Sequence, residues 1–234
     1  MNGPTIFMYH QVGTFAKPKQ HKANYCLKGR FATQMAILST LGWRTLSMDE
    51  VHESLTTKLF PHKSVILTFD DGFANFAEHA LPVLQRFALK ATVFVVVNRI
   101  GQRADWLSNG DRPLLMDQCA IRDLVAQGFA IGSHTLTHPR LSALPLAEQK
   151  KEIEGSKQKL EDMLGQPVLH FCYPYGDFNE VTVDLVRKAG YQTALTCQRR
   201  RASTQDSPWL LPRKAISFGD NAMGFLWKLY VKHH

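Results

Sequence analysis

Three short segments hold residues whose types and spacing suit hydrolytic chemistry. The first is Thr68-Phe69-Asp70-Asp71-Gly72. Two adjacent carboxylates repel unless a cation or a proton relieves them. Neighbouring residues on an extended chain point opposite ways, so one can ligate a metal while the other serves as a base. Asp also caps helices, so the pair alone fits an N-cap equally well. The second segment, Ser133-His134-Thr135-Leu136-Thr137-His138-Pro139, sets two histidines four residues apart. One helical turn would put both imidazoles on one face, a donor set for zinc or a similar divalent ion. Pro139 should end that turn at His138. The third is Phe171-Cys172-Tyr173-Pro174-Tyr175-Gly176. Its aromatic residues make a rigid wall for sugar rings, and a backbone N–H there could stabilise an oxyanion. Alone, this segment reads more readily as a structural turn.

Each motif follows a short run rich in β-branched and aromatic residues. Such runs predict strands at Ile6–Tyr9, Val65–Phe69, Thr92–Val97, Phe129–Gly132, Leu169–Cys172, Thr193–Thr196 and Lys214–Ser217. Helical patterns fall between them. Phe31, Met35 and Leu38 precede a stop at Gly42, Ser47 and Glu50 form a capping-box signature, and Asp117 caps a helix closed by Gly128. Further helices run from Leu146 to Leu164, from Glu180 to Ala189 and from Ala222 to Tyr230. The last reads as a barrel-closing helix, although its apolar side and basic end would also suit peripheral contact with a membrane. Repeated β-then-α units imply a parallel sheet covered by helices, hence an α/β fold. Seven strands fit a distorted (β/α) barrel, with an open doubly wound sheet as the alternative. In both, functional residues sit at the carboxyl ends of strands, where all three motifs fall. Asp71, His134 and His138 then make a three-ligand metal site with positions open for water, and Asp70 is free to act as general base.

The 234 residues suit one catalytic domain spanning 1–234, with no internal repeat or linker. No apolar run is long enough to span a membrane. The first residues lack the sequence of basic start, apolar stretch and cleavage site, so no signal peptide is expected and the cytoplasm is the expected location. The four cysteines are scattered without a CxxC pair, which argues for reduced thiols rather than a disulfide framework or a cysteine zinc site. A net charge of +8 favours anionic partners such as acidic glycans, phosphorylated sugar carriers or membrane surfaces. Nucleic acid is not expected, since no zinc-finger or RNP-type signature is present.

The motifs TFDDG, SHTLTH and YPYG, in this order, resemble those of the polysaccharide deacetylases of the NodB-homology type. The resemblance extends from MYHQV near the start, through IGSHTLTHPRL and FCYPYG, to LPR near the end. It implies a distorted barrel with fewer than eight full units, and metal-dependent hydrolysis of N-acetyl, less often O-acetyl, groups on an N-acetylated glycan or carrier-linked sugar, releasing acetate. Residue by residue, it implies that Asp71, His134 and His138 bind the metal, zinc being the first choice. It makes Asp70 the base and has Tyr175 offer its backbone N–H to the oxyanion.

Two positions depart from the family pattern. Many members carry Arg two residues before the third motif's Pro, where this chain has Cys172. Many also carry a late Leu-x-His whose His is the general acid. The nearest triplet here is Ile216-Ser217-Phe218. Arg213, just before a late strand, is the candidate to replace the missing Arg as partner of Asp70. His10, at the end of the first strand, is the candidate acid ahead of His170, with return of the proton by Asp70 as the fallback. Tyr173, Pro174 and Trp106 are the candidate substrate-binding residues. Two rival functions remain: an amidase acting on a non-sugar amide at the same site, and a non-catalytic glycan-binding protein.

Overall fold

A computed structural model describes residues 3–107 and 112–231. The strands are β1 (Thr5–Tyr9), β2 (Gln11–Gly13), β3 (Tyr25–Leu27), β4 (Arg44–Thr45), β5 (Ser64–Phe69), β6 (Thr92–Val95), β7 (Ala130–Ser133), β8 (His170–Cys172), β9 (Thr193–Leu195) and β10 (Lys214–Ala215). The helices are α1 (Lys28–Thr40), α2 (Met48–Thr56), α3 (Leu81–Arg86), α4 (Gln118–Ala126), α5 (Leu146–Leu164), α6 (Glu180–Lys188) and α7 (Ala222–Tyr230). The main sheet runs β10-β1-β5-β6-β7-β8-β9, with β4 added beside the start of β5. All its strand pairs are parallel. The chain entering β10 closes the ring: Leu211 bridges Leu195, and Arg213 N–H donates to the Gln198 carbonyl at 2.9 Å. The fold is a distorted (β/α) barrel, not an open doubly wound sheet.

All seven expected strands form, with edges moved by a few residues. Thr92–Val97 stops at Val95, and Lys214–Ser217 shortens to Lys214–Ala215. The short strands β2, β3 and β4 had no run long enough to show in the sequence. Alternation along the strands sorts the core into two layers. Ile6, Ile66, Phe94, Cys172, Leu195 and Leu211 fill the barrel interior, which α2 closes at its base with Met48, Val51 and Leu55. Phe7, Leu67, Val93, Ile131 and Phe171 face outward against the helices, including Phe31 and Met35 of α1 and Phe225 and Leu229 of α7. Gly132 is required by this interior: a Cβ there would lie 2.4 Å from the Phe94 ring. The capping box at the start of α2 forms as expected, with Ser47 N–H donating to Glu50 at 2.7 Å and Glu50 N–H to Ser47 Oγ at 3.2 Å. The β2–β3 pair places residues 21–25 on the rim above the carboxyl ends of the strands, where the motifs converge.

Candidate active site

Residues 66, 68 and 70 continue the inward face of β5, so Asp70 enters the barrel mouth as part of the strand's own alternation. Asp71 would then point away. Instead its φ of 72° breaks the alternation and turns its carboxylate into the same cleft, so the expectation of opposite directions fails at this residue. Gly72, at φ 77°, completes the turn, where a Cβ would lie 2.9 Å from the Val95 side chain.

The His134–His138 segment is not a helical turn. Thr135 and His138 both adopt positive φ, 69° and 65°, and side chains hold the loop instead. Thr135 Oγ1 accepts from His138 N–H at 3.0 Å. Glu152 of α5 accepts from Leu136 N–H, Thr137 N–H and Thr137 Oγ1 at 2.8, 2.9 and 2.6 Å. Glu152 had no signal in the sequence, because on an amphipathic helix it reads as one more solvent-facing acid. The result still brings both imidazoles together: His134 and His138 Nε2 lie 3.5 and 3.3 Å from Asp71 Oδ1. His134 Nδ1–H donates to the Cys172 carbonyl at 2.7 Å, which fixes the tautomer and leaves Nε2 with a free lone pair. Burial, more than the neighbouring His138, lowers the His134 pKa to about 4, so its ring is neutral at physiological pH.

Asp70 and Asp71 are each 3% exposed, yet their surroundings differ. Asp70 is gripped at both oxygens by Arg213, Nη1 to Oδ1 at 2.7 Å and Nη2 to Oδ2 at 2.8 Å. Burial pushes its carboxyl up, but the Arg213 guanidinium outweighs burial and holds it well below the ordinary carboxylate range. Arg213 is itself 1% exposed and anchored by the Thr196 carbonyl and Thr68 Oγ1 at 3.0 and 3.2 Å. It therefore stands where the motif's absent Arg was expected to act. Cys172 fits beside the pair as a neutral thiol: burial raises its pKa well above the ordinary value, and its Sγ lies 3.0 Å from Arg213 Nη2 and 3.6 Å from Asp70 Oδ2.

Asp71 has no such partner. Burial raises its pKa and the imidazoles, His138 first, lower it below the ordinary value, yet its Oδ1 accepts no hydrogen bond. A buried carboxylate oxygen facing two imidazole nitrogens, without a hydrogen bond to either, is the donor set of a divalent cation site. Asp71, His134 and His138 offer one ligand atom each, all within 4.8 Å of one another. Asp70, His134 and Cys172 meet the same spacing. That second set is already committed, since Arg213 occupies both Asp70 oxygens and the thiol stays protonated.

These groups open into a cleft of about 490 Å³ lined also by His10, Trp106, Arg140 and Tyr175. Trp106 stacks on His138, ring centroids 4.6 Å apart, and the Tyr175 ring meets His138 edge-on at 4.6 Å. Tyr175 has φ 59° and is 46% exposed. Buried His10 Nδ1 has no hydrogen-bond partner. Tyr173 and Pro174, expected on the substrate wall, do not line the cleft. Strand alternation sends Tyr173 outward beside Phe171; it is 0% exposed, and its hydroxyl donates to the Trp209 carbonyl at 3.1 Å. His170, the second candidate acid, lies at the opposite end of β8, bonded to Thr193 and Asp49.

The fold and this cleft define a polysaccharide deacetylase, and the chain belongs to that family, whose sequence pattern matches residues 57–194. It is 30% identical over 221 residues to YxkH of Bacillus subtilis (strain 168), covering 94% of this chain and 74% of that protein. It is 22% identical over 237 residues to the poly-beta-1,6-N-acetyl-D-glucosamine N-deacetylase of Staphylococcus aureus (strain MRSA252), covering 97% and 79%. Among solved structures, Streptococcus pyogenes deacetylase PplD in complex with acetate superposes at a TM-score of 0.85 with 25% identity, covering 98% of each chain. IcaB from Ammonifex degensii shares the fold at a TM-score of 0.83, with 23% identity and 98% of each chain covered.

Proposed function

We propose that the chain hydrolyses N-acetyl groups from amino sugars of a glycan or a carrier-linked glycan precursor, releasing acetate. The observation that carries this reading is the pairing of two adjacent buried carboxylates in one cleft, one held ionised by Arg213 and the other unspent beside two imidazoles. Family membership supports the same reaction. Asp71, His134 and His138 would hold a divalent ion, for which we propose zinc, since two imidazoles and one carboxylate form a zinc-type catalytic set. Such an ion supplies positive charge that polarises the acetyl carbonyl and acidifies an attacking water.

The protein groups then have distinct tasks. Asp70, kept ionised and oriented by the Arg213 fork, accepts the water's proton. The Tyr175 N–H, on a peptide turned by its positive φ, donates to the oxyanion that forms. His10 protonates the leaving amine from the same cleft. Trp106 and the Tyr175 ring wall the site around His138. The test is acetate release from a panel of N-acetylated oligosaccharides, free and carrier-linked, run beside simple non-sugar amides. Turnover of sugars that is lost on chelation and restored by divalent metal supports the reading. Turnover confined to non-sugar amides, or absent throughout, overturns it.

A further inference from the structure

The cleft contains a charge that the reaction does not use. Arg140 follows the second metal-site histidine by two residues, is exposed, and lines the cleft. Its guanidinium carbon lies 4.4 Å from the centroid of the Tyr175 ring. No carboxylate among the described residues pairs with it. The acid that braces this loop, Asp177, is engaged elsewhere, accepting from Ser142 N–H and Oγ at 2.8 and 2.9 Å. Among the described residues, the acids lining the cleft are Asp70 and Asp71, and both are accounted for. Arg213 neutralises the first, and the second faces the imidazoles as a metal ligand.

A guanidinium held over an aromatic ring spends no hydrogen bond there, so its donors stay open to a ligand. The ring contact also restrains the side chain before a ligand arrives, so less freedom is lost on binding. A planar fork with free donors matches the oxygens of a carboxylate or a phosphate. A neutral acetylated sugar offers such a donor only hydroxyl and amide oxygens, which gain less from its charge than an anionic oxygen does.

Accepting the deacetylase reading, we propose that Arg140 recognises an anionic substituent, and that the preferred substrate is an N-acetylated glycan bearing a carboxylate or phosphate on or beside the reacting sugar. The test compares three N-acetylated oligosaccharides of equal length: a neutral N-acetylglucosamine oligomer, one alternating with glucuronate, and one joined through phosphodiesters. The wild type is expected to favour one charged arm, which also separates carboxylate from phosphate recognition. Arg140→Gln is expected to cut that preference about tenfold, chiefly through KM, the size of one charge-assisted contact at a partly exposed site. Arg140→Lys should retain part of it. A second readout needs no variant: raising salt from about 0.05 to 0.5 M should raise KM for the charged arm and spare the neutral one. Equal turnover of all three arms by the wild type overturns the proposal. So does an Arg140→Gln loss equal on neutral and charged arms, since Arg140 would then only brace Tyr175. Acetate from none of the sugars overturns the deacetylase reading itself, and the anion proposal with it.

Discussion

His170 and His138 are both buried imidazoles on one barrel, at opposite ends of it. At the base, His170 has both nitrogens bonded, Nδ1 to Thr193 Oγ1 at 2.9 Å and Nε2 to Asp49 Oδ1 at 3.1 Å. At the mouth, His138 Nδ1 has no partner, and its Nε2 lies 3.3 Å from a carboxylate oxygen that accepts no hydrogen bond. Left-handed backbone is not confined to the mouth, since Lys58, Lys63 and Ala88 adopt it in turns that precede strands, but the mouth concentrates it on the motifs. Asp71, Thr135, His138 and Tyr175 all have positive φ, and all belong to the three motifs at the mouth. Left-handed backbone at a non-glycine residue costs about 1–3 kcal/mol and survives only where surrounding structure enforces it. At Thr135 and His138, Glu152 and the hydroxyls of Ser133 and Thr135 enforce it. His170 is thus a satisfied imidazole at the base, where Thr92 Oγ1 does lack a partner, while at the mouth the unspent Asp71 Oδ1 faces two imidazoles in one cleft, where a ligand can relieve it.

Metal removal tests that contrast most severely. If the unspent Asp71 oxygen marks a cation site, chelation abolishes turnover, and adding a divalent ion back restores it. Binding to the folded form alone also stabilises it: about 2.7 kcal/mol at a hundredfold excess over Kd, or a Tm rise of roughly 5–10 °C for a chain of this size. Asp71→Ala should remove both effects together. A Tm unmoved by zinc, manganese or cobalt, read by calorimetry, breaks the contrast at its root.

Asp70→Asn separates the two carboxylates. Asn keeps the shape but cannot take a proton, so kcat should fall roughly a hundredfold to ten-thousandfold while metal affinity stays near that of the wild type. Matching losses of metal binding and activity would show that the two acids share one role.

Replacing Arg213 by Met leaves Asp70 buried without its cation, a change that typically costs about 3–5 kcal/mol. The pH dependence gives the sharper readout. In the wild type the folded carboxyl lies below its unfolded value near 3.9, so its stabilising contribution is present above that pH and is lost as pH falls through the folded value. In Arg213→Met, burial, the largest influence, is opposed only by the smaller pull of His134 and His10, and should raise the folded value above the unfolded one. Stability from this group then grows as pH falls, and the acid limb of kcat/KM moves upward. Urea unfolding and rate profiles from pH 4 to 8 measure both, and an unmoved acid limb would show that Arg213 does not tune the base.

Much of this division was legible in the sequence. The strands of the barrel announce themselves as β-branched runs, and the motifs fall at their ends because catalytic side chains need the wide, open end of a barrel. Arg213 was legible through an absence, since Cys172 occupies the position where the family's third motif carries Arg. What was not legible depends on backbone angles. Spacing four residues apart suggested a helical turn for His134 and His138, whereas two left-handed residues and a glutamate from another helix build the loop. Tyr173 was misplaced because the motif was read as one surface, although β8 alternates and sends it to the outer core. The base was silent for a different reason: β4 has two residues, and Asp49 reaches His170 across 121 positions of sequence.

The mildest change belongs to that silent end. His170→Phe keeps the volume of a buried ring but strands the Thr193 hydroxyl, which bonds to Nδ1, while the Asp49 carboxylate, 67% exposed, can turn to water. An unsatisfied buried hydroxyl costs about 1–3 kcal/mol, so Tm should fall by a few degrees. The barrel interior between base and mouth is filled by Ile66, Phe94 and Leu195, and among the described residues no hydrogen bond leads from His170 or Thr193 to the cleft. Turnover per folded molecule and the metal-induced Tm shift should therefore both match the wild type. A drop in kcat without a matching loss of folded protein would mean that the base positions Cys172, two residues further along β8, and through it Asp70. The two ends of the barrel would then be coupled along one strand rather than built for separate tasks.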